Sequence, residues 1–102
     1  MRRANHAAYH HTATRARERY GVDLTRADYA ALIRLIQRQC GVFIWSASRS
    51  RSIWRLIWQD QPLLVVYSRS TKVIVTCLPA EWLPLEPPTL ADVLEAADDH
   101  AL

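Results

Sequence analysis

Residues 32–46 read LIRLIQRQCGVFIWS, and within them the hydrophobic period changes. Up to Cys40 the apolar residues recur at helical spacing. Tyr29, Leu32, Ile33, Ile36 and Cys40 fall on one face of a helix that turns 100° per residue. Gly41 interrupts that pattern, and from Val42 onward the side chains alternate with a period of two. Helix is therefore expected before Gly41 and sheet after it, an α+β order.

Working back from this point, Thr25 with Asp28 has the form of a capping box, and Leu24 is placed to staple onto Tyr29. The second helix is expected over residues 26–39, ended by Gly41. The first is expected from an Asn5 cap to Tyr20, with Gly21 as the left-handed residue that stops it. Tyr9, Ala13, Ala16 and Tyr20 form its buried stripe. Two helices joined by so short a connection should pack as an antiparallel hairpin.

Working forward, residues 42–46, 52–59, 63–67 and 72–78 read as four strands. In the second, Trp54, Leu56 and Trp58 point one way and Ile53, Arg55 and Ile57 the other. The third is nearly all apolar, as suits a central strand buried on both faces. Asp60, Gln61 and Pro62 should turn the chain before it, and residues 68–71 after it. Tight connections make the sheet an antiparallel meander. Residues 79–88 hold four prolines with Trp82, and read as an extended strap that lays Trp82 and Leu83 over an apolar surface. Thr89 then caps a short acidic helix. The expectation is one domain over residues 1–102, with a core of about 5–79 and an appended strap and helix over 80–102.

Half of the residues are hydrophobic, which excludes a disordered chain. No apolar run approaches a membrane span, so no membrane partner is expected. Cys40 and Cys77 lack metal-type spacing and sit in apolar segments, so both are expected to be reduced core residues of a cytoplasmic protein. His6 and His10 face the same way on the first helix but have no third ligand, so neither metal nor cofactor is expected.

The charge is segregated. Residues 1–59 hold eleven arginines against Glu18, Asp23 and Asp28, a balance of +8. Residues 60–102 hold Arg69 and Lys72 against seven acids, a balance of −5. A guanidinium binds phosphate with two parallel hydrogen bonds and stacks on bases, so a half whose cations are all arginine points to RNA as a partner.

The stretch HTATRARERYG, residues 11–21, sets His11, Arg15 and Arg19 in a column beside the apolar stripe of the first helix. With Val65-Val66-Tyr67 and with residues 74–79, IVTCLP, it carries a resemblance. Over residues 11–79 the chain resembles the small RNase-toxin superfamily of RelE, barnase and colicin-type nucleases, and above all RelE-like domains of phages and mobile elements. The resemblance implies a metal-independent endoribonuclease, a toxin or phage effector, in which the RNA 2′-hydroxyl is the nucleophile. An antitoxin or a host protein would be a further partner.

Such chemistry needs a base, an acid and cations around the phosphorane. The candidate constellation is His11 as acid and base, Arg15 and Arg19 as phosphate clamps, Arg55 as a second cation, and Tyr67 with Thr76 as hydroxyl donors. Arg17, Arg49, Arg51 and Lys72 are the candidate RNA contacts. Each residue also has a structural reading. The column can be a solvated basic face, Arg15 or Arg19 can pair with Glu18 or cover the sheet edge, and Tyr67 and Thr76 are good strand formers. A second function class stays open: a non-catalytic effector on the same fold that binds RNA or a host protein and blocks it.

Overall fold

A computed structural model describes residues 2–81, with side chains from Ala7 onward. The proposed strap and acidic helix lie outside the described residues; the first helix begins at Arg2, so Asn5 falls within it and is not its N-cap. The elements run α1 (Arg2–Tyr20), α2 (Arg26–Gln37), β1 (Val42–Ser46), β2 (Arg51–Trp58), β3 (Gln61–Ser68) and β4 (Val73–Cys77). The strands form one antiparallel sheet in the order β1-β2-β3-β4, the meander that the tight connections imply.

Each helix stops and starts for a local reason. Gly21 has φ 67° and its amide bonds the Arg17 carbonyl, which closes α1. The capping box of α2 is complete: Thr25 Oγ1 accepts from the Asp28 amide at 3.1 Å and the Asp28 carboxylate accepts from the Thr25 amide at 3.0 Å. At the other end of α2 the left-handed residue is Gln39, at φ 57°, rather than Gly41. The Gln39 amide bonds Ile36 O and the Cys40 amide bonds Leu35 O, a Schellman arrangement. Gly41 is required for a different reason. A Cβ there would overlap the Leu56 side chain and stand 3.1 Å from the Arg55 carbonyl oxygen. The turn between β2 and β3 is also tighter than expected. Gln59 and Asp60 both have positive φ, as a two-residue hairpin requires, so Gln61 and Pro62 join β3 instead of turning the chain. Cys77 is buried, but Cys40 is exposed just beyond α2 and is no core residue.

The helices and one face of the sheet share a core. Ala16 of α1, Tyr29, Leu32 and Ile36 of α2, and Leu56, Leu63, Val65, Tyr67, Ile74 and Cys77 of the sheet form one buried cluster. Tyr9, Ala13 and Tyr20 pack against it, as the stripe on α1 predicts. The alternation read in β2 holds: Trp54 and Trp58 pack on this cluster, while Ile53 belongs to a second one on the opposite face.

The site depends on where α1 lies. It runs along β4, the edge strand, and its side chains satisfy that strand's carbonyls. Thr12 Oγ1 donates to Ile74 O at 3.1 Å, Arg19 to Cys77 O at 2.5 Å, and Tyr20 Oη to Leu78 O at 2.7 Å. Tyr20 Oη also accepts from the Leu64 amide at 3.1 Å, so the phenol spans the point where β3 and β4 part. An edge covered in this way offers no ladder to another strand.

Candidate active site at the sheet margin

The site begins with an irregularity in β4. Val65 pairs with Cys77 and Val66 with Thr76, but Tyr67 pairs with Ile74, so Val75 is an extra residue. A bulge of this kind turns the following side chain to the other face. Without it Thr76 would stand beside Val65 and Tyr67 under the helices. With it, Thr76 lies opposite Val66, on the face away from α2. There it meets His11, whose Nε2 is 2.9 Å from Thr76 Oγ1. His11 is half-buried and Thr76 fully buried. The column on α1 thus straddles the edge of the sheet: its apolar stripe serves one face and its imidazole reaches the other.

The hydroxyl contact orders the imidazole. Thr76 Oγ1 points its proton weakly at Cys77 O, 3.4 Å away, which leaves its lone pairs for a donor. Assigning the His11 proton to Nε2 satisfies this arrangement and makes Nδ1 the basic nitrogen.

The two arginines of the column are engaged within the chain. Arg15 pairs with Glu18 at 2.5 Å, its side chain only 16% exposed, and Arg19 holds the Cys77 carbonyl. Both match the structural readings of these residues, pairing with Glu18 and covering the edge. A guanidinium carries five N–H donors, so one such bond does not exhaust it. Arg55 is exposed on the same sheet face as Thr76, in register with Leu64 and Val42. It is two strands and two residues from the Thr76 row, on the order of 12 Å away. It therefore stands apart from the His11–Thr76 pair.

Tyr67 does not join this group. It lies on the helix side of the sheet, 7% exposed, with its hydroxyl accepting from Gln37 Nε2 at 3.3 Å. Its grouping with Thr76 is corrected by the bulge, which puts the two on opposite faces. Arg17 is exposed and paired with Asp23 at 2.9 Å.

Arg49, Arg51 and Lys72 gather at one end of the sheet, where the β1–β2 loop meets the β3–β4 turn. Arg69, which sequence reasoning missed, joins the two. Its guanidinium donates to Ser46 Oγ, Ser48 O and Arg49 O, and its amide bonds Ser50 O. The run of serines at 46, 48, 50 and 52 was the available signal, since a polar loop leaves hydroxyls and carbonyls for a donor to gather. Val73 begins β4 at this end, three residues from Thr76 and roughly 10 Å by strand rise. Tyr20, part of the buried stripe of α1, reaches the surface beside this face. With Arg55, Pro62, Leu64 and Ala80 it lines a cavity of about 100 Å³. Burial raises its phenol pKa above the usual tyrosine value.

Among the described residues no three His, Cys, Asp or Glu side chains are grouped to hold a metal ion. No described helix is long and apolar enough to cross a membrane. Comparison of the chain with protein-family models, curated proteins and solved structures finds no match.

Proposed function

We propose that the protein is a metal-independent endoribonuclease, a toxin or phage effector acting in the cytoplasm, with His11 as its acid–base group. The observation that supports this is the His11–Thr76 pair. It is an imidazole fixed by a buried hydroxyl at the sheet margin, within one helix face of Arg15 and Arg19. In this reading His11 Nδ1 takes the proton of a ribose 2′-hydroxyl. The freed oxygen attacks the adjacent phosphorus and the 5′-oxygen leaves, protonated by the imidazolium so formed or by water. Arg15 and Arg19 offset the charge that builds on the phosphoryl oxygens. Arg49, Arg51 and Lys72 hold the strand on one side of the scissile bond, and Arg55 holds it on the other. An antitoxin or host protein is the expected macromolecular partner besides RNA.

A second reading is favoured by a specific observation. Arg15 and Arg19 are already bonded to Glu18 and to Cys77 O, as residues that hold a fold are. The same surface would then bind RNA or a host protein without cutting. Incubating the purified chain with labelled RNA in excess EDTA separates the two. The nuclease yields fragments ending in a 2′,3′-cyclic phosphate and a 5′-hydroxyl, and the blocking protein leaves the RNA intact.

A further inference from the structure

Phe43 is an aromatic residue placed where the fold gains little from it. It belongs to neither buried cluster and is 50% exposed. Its register partner is Trp54, which packs on the helix-side core, so Phe43 lies on that side of the sheet. The two rings meet edge to face, with centroids 5.6 Å apart and planes at 76°. Such a contact uses at most one face of a ring, so the other face of Phe43 is left for a third partner. Trp54 is itself held, its Nε1 donating to Ser52 Oγ at 3.0 Å.

Two other large apolar residues are exposed among the described ones, Val42 and Ile57. Val42 pairs with Arg55 and Ile57 with Pro62, so both point to the opposite face. A protein interface is built on a contiguous apolar patch, whereas Phe43 is the one large apolar residue exposed on its side among the described residues. The surrounding sequence is cationic. Residues 29–59 carry Arg34, Arg38, Arg49, Arg51 and Arg55 and no Asp or Glu. Arg34 and Arg38 are exposed on successive turns at the end of α2. Arg38 precedes Phe43 by five residues, and Gly41 between them is seated against Trp54, whose Cε3 would be 3.4 Å from a Cβ there. The end of α2 is thereby anchored beside the aromatic pair. An aromatic face among arginines suits a single-stranded nucleic acid, with the ring stacked on a base and the guanidiniums on phosphates.

We propose that Phe43 is a base-stacking platform for single-stranded RNA, with Arg34 and Arg38 on the adjoining phosphates. It is a second contact surface, on β1, about 14 Å across the sheet from β4 and the His11 margin. The platform rests on the reading that this protein binds RNA. It adds a contact made with a base, which the arginines alone do not give.

The test measures binding to a 2′-O-methyl oligoadenylate, which lacks the attacking hydroxyl, and to an abasic oligonucleotide of the same length. Phe43→Ala should weaken oligoadenylate binding by at least about fivefold, the lower end of base–aromatic stacking. It should leave the abasic strand unaffected and the salt slope unchanged, since no charge is removed. Phe43→Tyr should bind as wild type does and Phe43→Leu should not, a comparison that holds even where alanine perturbs the strand. Arg38→Ala should weaken both strands and lower the salt slope by about 0.7. Equal binding of oligoadenylate by wild type, Phe43→Ala and Phe43→Leu overturns the platform and leaves the RNA reading standing. So does an equal loss on both strands, which would give Phe43 only a structural role. Wild type that binds neither strand overturns the RNA reading and the platform with it. A wild-type dimer that Phe43→Ala converts to a monomer, seen by sedimentation, would put a second copy on Phe43 and overturns the platform too.

Discussion

The Ile74 carbonyl accepts two side-chain hydroxyls, Thr12 Oγ1 from α1 at 3.1 Å and Tyr29 Oη from α2 at 2.7 Å. Both helices thus bond the edge strand at a single atom, which predicts a measurable coupling. Thr12→Val keeps nearly the same shape and removes one donor. The carbonyl keeps its bond to Tyr29, so the cost should be about 1 kcal/mol, the net contribution of one hydrogen bond. Tyr29→Phe should cost about the same, since Tyr9 can still pack edge-on to the ring at 5.5 Å. The double variant differs in kind. It leaves a buried carbonyl with neither hydroxyl, at a further cost of about 1–3 kcal/mol. A double-mutant cycle by urea unfolding, with m unchanged, should therefore show a loss greater than the sum of the singles by at least about 1 kcal/mol. Additivity within about 0.5 kcal/mol would mean that the two hydroxyls do not share this acceptor.

Other consequences are independent of that one. Gly41→Ala should destabilise more than Gly21→Ala by thermal unfolding: the first drives a methyl into Leu56, while the second meets no atom within 4 Å and costs only the left-handed strain, about 1–2 kcal/mol. Stability should fall as pH rises above about 9. Burial pushes the Cys77 thiol from 9.0 up to about 12, so the unfolded chain gives up that proton first, and over the interval each pH unit costs up to about 1.4 kcal/mol. The stability difference between wild type and Cys77→Ala in urea should be constant below pH 9 and shift in favour of Cys77→Ala between pH 9 and 12, and parallel curves over that interval would contradict the assignment. RNA affinity should fall steeply with salt, with Arg49→Ala or Lys72→Ala each lowering the slope of log affinity against log salt by about 0.7. Arg17→Ala, which removes a residue already paired with Asp23, should leave that slope unchanged.

The elements were legible because their signals are local. The period change at Gly41, the Thr25–Asp28 capping box and the alternation of Trp54, Leu56 and Trp58 each depend on a few neighbouring residues. The closure of α2 was misplaced because a polar residue, Gln39, takes the left-handed position while the nearby glycine answers a packing demand from Leu56. The candidate site was legible only in part. His11 and Thr76 are 65 residues apart and meet because Val75 is bulged out of register. Nothing in the sequence of β4 marks that bulge, and a regular register would have put Thr76 with Tyr67 under the helices. The arginines were visible as a column, but their engagement with Glu18 and the Cys77 carbonyl depends on where α1 lies against the edge strand.

His11 is the group on which the proposed chemistry turns. Its most direct test is the rate of cleavage of labelled RNA by wild type and by His11→Ala, both in excess EDTA and both checked for the native fold. Wild-type cleavage that falls at acid pH as the imidazole protonates, and loss of cleavage in His11→Ala with RNA binding retained, are the predicted results. Equal cleavage by the two proteins, or none by wild type, would contradict the assignment of His11 as the acid–base group of a ribonuclease.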